Sequence, residues 1–342
     1  MMMRTLLTLF ALMLALPASA QGPRAPSRLP GPLPTHADIG YVIAAHPNDP
    51  RKLDLYLPPA DGRAHPLVIF THGSAWLANN GRDDAQVLAA ELNPRGYAVV
   101  GVAVRTSGQA RFPGQVYDIK AAIRWLRAHA AQYALEGGRI GIVGESSGGW
   151  TAAMAALTGD VPQLEGSLGN GRQSSAVQAA VAFYPPTDFA AMDDWALEPC
   201  RPAERNPFGR AACHGAATSP ESRLVGCPLA KCPAQVQAAN PIRYISRADP
   251  PMLIVHGGAD ALVPHAQGEA LFHALARGCR TASFISLPVA GHGNWSGMLT
   301  EPRLGYGATI QSTTEDCGAT VPRPVTMGWG VLIEFLDAHL KR

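Results

Sequence analysis

Short, uninterrupted apolar segments recur along the chain and predict a sheet that is buried on both faces. Residues 67–70, 98–104 and 139–143 are rich in β-branched side chains and are bounded by Gly or Pro. Such segments are typical of strands in parallel sheets, which helices cover on both sides. Further buried strands are predicted at 177–183, 252–255 and 282–287, and a half-buried strand with alternating polarity at 52–57.

Segments with helical periodicity lie between these predicted strands. Residues 115–131 carry an apolar stripe at helical spacing, and further helices are predicted over 150–157, 268–277 and 331–340. Strands that alternate with helices form βαβ units, so the sequence predicts an α/β fold with a mostly parallel central sheet over residues 37–342. Residues 192–240 contain Pro, polar residues and four cysteines, and predict an insertion over the active edge of that sheet.

The composition excludes two other classes of protein. Hydrophobic residues make up 47% of the chain, which is enough for a large core and excludes intrinsic disorder. The 28 Lys and Arg residues nearly balance the 26 Asp and Glu residues, giving a net charge of +2. Nucleic-acid-binding proteins need a clustered basic surface, so no nucleic-acid partner is predicted.

The first twenty residues have the features of a secretory signal peptide. Arg4 provides a positive start, residues 6–16 form an apolar run, and residues 17–20 (P-A-S-A) match a cleavage site. The run is shorter than the ~20 apolar residues of a membrane-spanning helix, and no other segment resembles one. A buried N-terminal helix is the alternative. We expect a secreted or periplasmic protein with a signal peptide at 1–20 and a flexible Pro-rich leader at 21–36.

The six cysteines predict disulfide bonds, because an even number in an exported protein favours pairing. The sequence alone leaves the pairing open, although proximity favours Cys200–Cys213, Cys227–Cys232 and Cys279–Cys317. A zinc site is the alternative. His214 is the one histidine among the four clustered cysteines, and their spacing differs from that of tetrahedral sites. We therefore predict no metal and no cofactor.

Residues 144–149 (G-E-S-S-G-G) contain the pattern G-x-S-x-G between a predicted buried strand and an Ala-rich predicted helix. In that context the pattern predicts a nucleophile elbow, a tight turn that lifts Ser146 above the sheet. Ser147 is a competing nucleophile, but it breaks the glycine spacing. The alternative interpretation is a Ser/Gly turn without chemistry.

A serine hydroxyl needs a base and an acid, which in this type of fold follow it along the chain in the order acid, histidine. Asp260 lies in the glycine turn after the strand at 252–255, and His292 lies in the loop after the strand at 282–287. Asp188 is the alternative acid. His256, His265 and His273 fit less well, because they lie at a strand end or in a helix. Asp260 and His292 could also be plain loop residues.

Backbone donors for an oxyanion are predicted in two places. Ser147 follows the nucleophile, and Ser74 and Ala75 lie in the small-residue loop T-H-G-S-A-W after the strand at 67–70. An ordinary strand-ending turn is the alternative. Trp76 and Trp150 are candidates for lining the substrate pocket, or equally for core packing.

Seven motifs give the chain a resemblance to a known family. They are L-D-L-Y-L-P at 53–58, H-G-S-A-W at 72–76, D-I-K-A-A-I-R-W-L at 118–126, G-E-S-S-G-G at 144–149, S-P-E-S-R-L at 219–224, D-P-P at 249–251 and G-H-G at 291–293. The chain resembles bacterial α/β-hydrolase carboxylesterases, near the feruloyl and acetyl-xylan esterases, over about residues 40–295. The resemblance implies an α/β-hydrolase fold and places the family's serine, acid and histidine on Ser146, Asp260 and His292.

The chain departs from the family pattern in two places. Ser74 and Ala75 stand where the family usually has a glycine and a variable residue. The cysteines of the insertion and the long tail after His292 are also unlike the family.

These observations together predict a secreted serine hydrolase that cleaves carboxylic esters through an acyl-enzyme, acting on a small-molecule or polysaccharide-linked ester. Acetyl and feruloyl esters are the expected substrates; acyl and alcohol specificity and oligomeric state stay open. The alternatives are a serine peptidase of the same fold and a non-catalytic binding protein on a hydrolase scaffold.

Overall fold

A computed structural model describes residues 30–200 and 213–341 of the chain. Ten strands form one sheet: β1 (His36–Gly40), β2 (Lys52–Tyr56), β3 (His65–Thr71), β4 (Ala98–Val102), β5 (Leu135–Glu145), β6 (Ala179–Phe183), β7 (Met252–Gly257), β8 (Ala282–Leu287), β9 (Thr309–Ser312) and β10 (Arg323–Pro324). The predicted signal peptide and most of the predicted leader lie outside the described residues. The leader's last residue, His36, already pairs with Leu55.

The strands lie in the order β1-β2-β4-β3-β5-β6-β7-β8-β9-β10. The six central strands, from β4 to β8 in that order, are parallel, and antiparallel pairs close both edges. The prediction of a mostly parallel sheet is therefore confirmed. Because the carboxyl ends of parallel strands meet at one edge, the loops after β3, β5, β7 and β8 converge there.

Eight α-helices accompany the sheet in the described part of the chain: α1 (Ala85–Leu92), α2 (Gly114–Ala128), α3 (Ser147–Leu157), α4 (Pro220–Val225), α5 (Pro233–Ala238), α6 (Ala266–Arg277), α7 (Trp295–Thr300) and α8 (Trp329–Leu340). Successive residues of β3 point to opposite faces of the sheet. Leu67 and Ile69 join a core with α2, α3 and α6, whereas Val68 and Phe70 join a core with α1, α7 and α8. Helices thus cover both faces, as the sequence predicts.

The element boundaries differ from the predictions at several points. β5 extends to Leu135 and α3 begins at Ser147, three residues before the predicted start. The small residues 147–149 carry no hydrophobic pattern, so the first turn of α3 has no periodic signal. Sequence reasoning also missed α1, α4, α5 and α7, and the strands β1, β9 and β10.

The insertion carries two of three disulfide bonds. Cys200 pairs with Cys213 and Cys227 with Cys232, while Cys279 pairs with Cys317 outside the insertion. These are the pairs that proximity favours. Apolar residues of the insertion pack in a third hydrophobic cluster with the side chains of α2 and α3: Leu224, Val225, Leu229, Val236, Val116, Trp150 and Met154. Residues 201–212 of the predicted insertion lie outside the described residues.

None of the helices in the described part of the chain has the length and apolarity needed to cross a bilayer.

Candidate active site

The turn from β5 into α3 holds Ser146 by close backbone packing. Ser146 has a φ of 55°, in the left-handed region that non-glycine residues rarely adopt. A Cβ on Gly144 would lie 2.1 Å from the carbonyl oxygen of Gly148, and a Cβ on Gly148 would lie 2.0 Å from that of Thr71. Both distances are far inside van der Waals contact. Glycine is therefore required on both sides of Ser146, as expected for a nucleophile elbow.

The loops after β7 and β8 are packed directly against each other. A Cβ on Gly257 would lie 2.2 Å from the carbonyl oxygen of Ala290, so the two backbones touch there. The N–H of Ala259 donates to the same carbonyl at 3.0 Å, and the N–H of Gly258 donates to the carbonyl of Leu287 at 2.8 Å. This contact brings the turn that carries Asp260 beside the loop that carries His292.

Three predicted residues form one hydrogen-bonded chain. His292 Nε2 lies 2.9 Å from Ser146 Oγ, and His292 Nδ1 lies 2.8 Å from Asp260 Oδ2. The other carboxylate oxygen of Asp260 accepts the N–H groups of Leu262 and Val263, at 2.9 and 2.8 Å. The geometry is that of a serine nucleophile, its base and the acid that orients the base.

The environment of Asp260 keeps its carboxylate ionised. Asp260 is 1% exposed, and burial alone would raise its pKa. Hydrogen bonds from His256 and His292 outweigh burial and hold the pKa of Asp260 well below its ordinary value. His256 is fully buried, its Nε2 is 3.0 Å from the carbonyl oxygen of Val263, and burial lowers its pKa. His256 is thus a neutral imidazole, and its Nε2 lies 3.5 Å from Asp260 Oδ2.

The predicted oxyanion loop is held by Ser147, the residue after Ser146. The N–H of Ser74 donates to Ser147 Oγ at 2.9 Å, and the N–H of Trp76 approaches the same oxygen at 3.4 Å. Ser74 therefore differs from its prediction as an oxyanion donor, because its N–H already has a partner. Within the described residues, the N–H groups of Ala75 and Ser147 donate to no other group. These two N–H groups are the candidates for the oxyanion hole.

A partly buried charge cluster lies beside this loop, and sequence reasoning missed it. The N–H of Gly73 donates to Glu145 Oε1, and His72 Nδ1 lies 3.2 Å from the same carboxylate. His72 Nε2 lies 3.5 Å from Asp84. Burial lowers the pKa of His72, but the hydrogen bond to Asp84 and the charge of Glu145 raise it overall to about 9. His72 is therefore a cation at neutral pH that ties the loop to Glu145, the residue before Ser146.

A cavity of about 20 Å³, called here the serine cavity, lies at Ser146 and Ser147. The oxyanion loop, the insertion and the loop after Asp260 complete its walls: Ala75, Trp76, Pro186, His214, Pro220, Glu221, Leu262 and Val263. Such a volume holds about one water molecule. Trp76 therefore lines the predicted pocket.

Trp150 does not line this cavity. It is fully buried, its indole N–H donates to the carbonyl oxygen of Ala239 at 2.8 Å, and its ring packs edge-on against Trp76. Trp150 therefore packs against Trp76 in the hydrophobic cluster, as the alternative of core packing predicts.

The other candidates from the sequence lie outside the hydrogen-bonded chain. Asp188 accepts the N–H of Ala190 and caps a short turn, and His265 contacts Ser286. Asp193, Cys200 and Cys213 form a group of potential metal ligands in the described residues. Because the two sulfur atoms are bonded to each other, neither is a thiolate that binds an ion.

Comparisons with known proteins place these features in a family. The sequence profile of the BD-FAE family matches residues 53–275. Esterase LipQ of Mycobacterium tuberculosis is 31% identical over 271 residues, which cover 77% of this chain and 59% of LipQ. The chain therefore spans somewhat over half the length of this relative.

Solved structures agree with this assignment. A truncated carbohydrate esterase from gut microbiota is 34% identical with a TM-score of 0.66, covering 75% of this chain and 88% of that one. Esterase Est2 of Thermogutta terrifontis is 25% identical with a TM-score of 0.54, covering 71% of this chain and 78% of that one.

The fold and these relatives define an α/β-hydrolase of the carboxylesterase class. Within that class, the chain belongs to the BD-FAE family.

Proposed function

We propose that this chain is an exported serine esterase that hydrolyses esters of short carboxylic acids, with Ser146 as nucleophile, His292 as base and Asp260 as orienting acid. The observation that carries the proposal is the continuous hydrogen-bonded chain from Ser146 Oγ through the His292 ring to Asp260. The carbohydrate esterase among its structural relatives supports a sugar-linked ester as substrate.

Ser146 Oγ attacks the ester carbonyl and passes its proton to His292 Nε2. The negative oxygen of the tetrahedral intermediate accepts the N–H groups of Ala75 and Ser147. His292 then donates the proton to the leaving alcohol, and the acyl group stays on Ser146. A water molecule that gives its proton to His292 attacks this acyl-enzyme and releases the acid. The ionised Asp260 stabilises the His292 imidazolium in both halves of the reaction.

The size of the serine cavity supports an acetyl rather than a feruloyl group. Its volume of about 20 Å³ has room for about one water molecule, which is far too little for an aromatic acyl group. A larger cleft of about 710 Å³ is lined by Leu77, next to Trp76, and by Ser222, next to Glu221. We assign this cleft to the alcohol part of the ester, because it is large enough for sugar units.

Export is the second part of the proposal. The three disulfide bonds support it, because such bonds persist in oxidising compartments. Edman sequencing of the purified product after expression in a secreting host tests it, with a mature start near Gln21 as the expected result. A product that retains residues 1–20 contradicts it.

A panel of 4-nitrophenyl acetate, butanoate and octanoate, together with methyl ferulate, tests the acyl preference. We expect kcat/KM to fall from acetate to octanoate and to be lowest for ferulate, and we expect Ser146→Ala to hydrolyse none of them measurably. Aminoacyl 4-nitroanilides distinguish the peptidase alternative. Faster cleavage of an anilide than of the acetate contradicts the proposal, and so does full activity of Ser146→Ala.

A further inference from the structure

The loop that carries the candidate oxyanion donor Ala75 has an unusual backbone. Ala75 and Trp76 are consecutive and have φ values of 51° and 57°, in the left-handed region that non-glycine residues rarely adopt. Such residues persist where surrounding contacts hold them, and they are common at functional sites. Contacts from outside the loop are therefore expected to hold this conformation.

The backbone N–H groups of residues 72–77 show where those contacts are. Of these six groups, the N–H of Ala75 alone has no acceptor within the described residues. The other five donors and their acceptors are His72 with the Gly81 carbonyl, Gly73 with Glu145 Oε1, Ser74 and Trp76 with Ser147 Oγ, and Leu77 with the Ser74 carbonyl. The loop is thus fixed at every N–H group except the one that the proposed reaction uses.

The side chain of Ser147 holds the loop on both sides of that free N–H group. Ser147 Oγ lies 2.9 Å from the backbone nitrogen of Ser74 and 3.4 Å from that of Trp76. Ser147 is 4% exposed, so bulk water does not compete for these two donors. One buried oxygen atom therefore fixes the two peptide groups that flank the peptide group of the Ala75 N–H.

This oxygen atom is itself fixed relative to the nucleophile. Ser147 follows Ser146 in the chain and is the first residue of α3. A Cβ on Gly148 would lie 2.0 Å from the carbonyl oxygen of Thr71, so the start of α3 is packed directly against the end of β3. The position of the Ala75 N–H relative to Ser146 is therefore set through the side chain of Ser147.

We infer that Ser147 is a positioning residue for the oxyanion hole, whose hydroxyl oxygen holds the Ala75 N–H in place for the tetrahedral intermediate. This role of the side chain is separate from that of the Ser147 backbone N–H, which the proposed reaction uses as the second donor. The inference rests on the proposed function, because it concerns the same oxyanion.

Removing or weakening the acceptor tests the role of the side chain. In Ser147→Ala, the N–H groups of Ser74 and Trp76 lose their partner, and the loop is expected to leave its left-handed conformation. Loss of one oxyanion donor typically lowers kcat by about 10²–10³-fold. We expect kcat/KM for 4-nitrophenyl acetate to fall about 10²-fold. Ser147→Cys has nearly the same shape but a sulfur that accepts hydrogen bonds weakly, and we expect a loss of about tenfold.

A second buried hydroxyl on α3 provides the matched control. Thr151 is 2% exposed, lies one helical turn after Ser147, and donates its hydroxyl to the Ser147 carbonyl oxygen at 2.9 Å. Thr151→Val therefore removes a hydroxyl of similar burial whose hydrogen bond stays within α3. We expect its kcat/KM to stay within about twofold of that of the wild-type protein.

A substrate with a sulfur in place of the carbonyl oxygen separates positioning of the oxyanion hole from general damage. Sulfur accepts hydrogen bonds weakly, so the oxyanion hole contributes less to the cleavage of 4-nitrophenyl thionoacetate than to that of the acetate. We expect the ratio of kcat/KM for the acetate to that for the thionoacetate to fall about tenfold in Ser147→Ala and to be unchanged in Thr151→Val. A general displacement of Ser146 or His292 would slow both esters alike and leave the ratio unchanged.

The outcomes separate this inference from the proposed function. Unchanged kcat/KM in both Ser147→Ala and Ser147→Cys overturns the inference and leaves the esterase intact. A loss of kcat/KM with an unchanged ratio of the two esters also overturns it, because Ser147 then acts only in general packing. If Ser147→Ala does not fold, the ratio in Ser147→Cys decides. Should the wild-type protein fail to hydrolyse 4-nitrophenyl acetate, the proposed function is lost, and the inference with it.

Discussion

The nucleophile elbow and the insertion form two walls of one cavity, but they are held in place by different means. The elbow depends on backbone contacts so close that no Cβ fits at Gly144 or Gly148. The insertion depends on a hydrogen-bonded histidine, a capped helix, disulfide bonds and a hydrophobic cluster, each formed by separate side chains. The elbow can therefore change very little, whereas the insertion can change one contact at a time.

The largest effects on turnover are expected in the chain of hydrogen bonds that the elbow completes. We expect His292→Ala to lower kcat by about 10⁶-fold, because the base is lost. We expect Asp260→Asn to lower kcat by about 10⁴-fold, because the asparagine no longer holds the His292 ring in the required tautomer. Asp188→Asn, at the alternative acid, is the control and should stay within about twofold of wild type. Steady-state kinetics with 4-nitrophenyl acetate measures kcat for all three variants. A large loss of kcat in Asp188→Asn would mean that Asp188 acts as the acid, which contradicts the assignment to Asp260.

A smaller loss of turnover is expected from one added methyl group at the elbow. In Gly148→Ala, the new Cβ would lie 2.0 Å from the carbonyl oxygen of Thr71, so β3 and α3 must separate. We expect a loss of about 3 kcal/mol in the free energy of unfolding and about 10²-fold in kcat, because Ser146 moves with α3.

Gly138→Ala is the matched control for this substitution. Gly138 is in the same strand as the start of the elbow, and a Cβ added to it would have no other atom within 4 Å. We expect a change within about 0.5 kcal/mol in urea unfolding and unchanged kcat. If Gly148→Ala changed the free energy of unfolding and kcat as little as Gly138→Ala, the close packing at the elbow would be contradicted.

The disulfide bonds should separate stability from substrate preference. In the loop-entropy description, removing Cys279–Cys317, with a separation of 38 residues, costs about 4 kcal/mol. Removing Cys227–Cys232, with a separation of 5, costs about 2 kcal/mol.

Cys227 also lines the large cleft. We therefore expect paired Cys→Ser variants at 227 and 232 to shift the ratio of kcat/KM between small and sugar-linked acetates, and those at 279 and 317 to leave that ratio unchanged. The reverse pattern would place substrate preference outside the insertion.

The smallest effect expected is a pH dependence of stability from the cluster beneath the oxyanion loop. The pKa of His72 is raised from its ordinary value of 6.5 to about 9 in the folded protein. Its stabilising contribution is therefore complete below pH 6.5 and is lost as the pH rises through about 9. We expect the Tm difference between wild type and His72→Gln to be largest near pH 6 and to disappear above pH 9. A difference that is constant from pH 6 to 10 would contradict a charged His72.

Comparison of sequence and structure shows which features a pattern can reveal. The strands β3 and β7 and the second half of β5 are short apolar segments, and Ser146, Asp260 and His292 each follow a strand in a glycine-rich turn. Periodicity and motif therefore suffice to locate them. Short strands such as β9, with four half-buried residues, carry no such pattern.

The contacts between side chains of distant segments were beyond sequence reasoning. Ser147 Oγ holds the N–H of Ser74, although the two residues are 73 positions apart. Glu221 and His214 lie within the predicted insertion, but the sequence contains no signal that they pair or that they line the serine cavity. Trp150 looks the same in sequence whether it lines a pocket or packs in a core, because an apolar helical residue serves either. Only the arrangement of the insertion on α3 decides between them.

Identification of the residue that carries the covalent adduct tests the central claim most directly. After treatment of the wild-type protein with a fluorophosphonate, digestion and mass spectrometry should find one adduct, on the peptide that contains Ser146, and fragmentation should place it on that side chain. Ser146→Ala, purified and treated in the same way, should carry none. An adduct on Ser147, or equal labelling of the two proteins, would contradict the account.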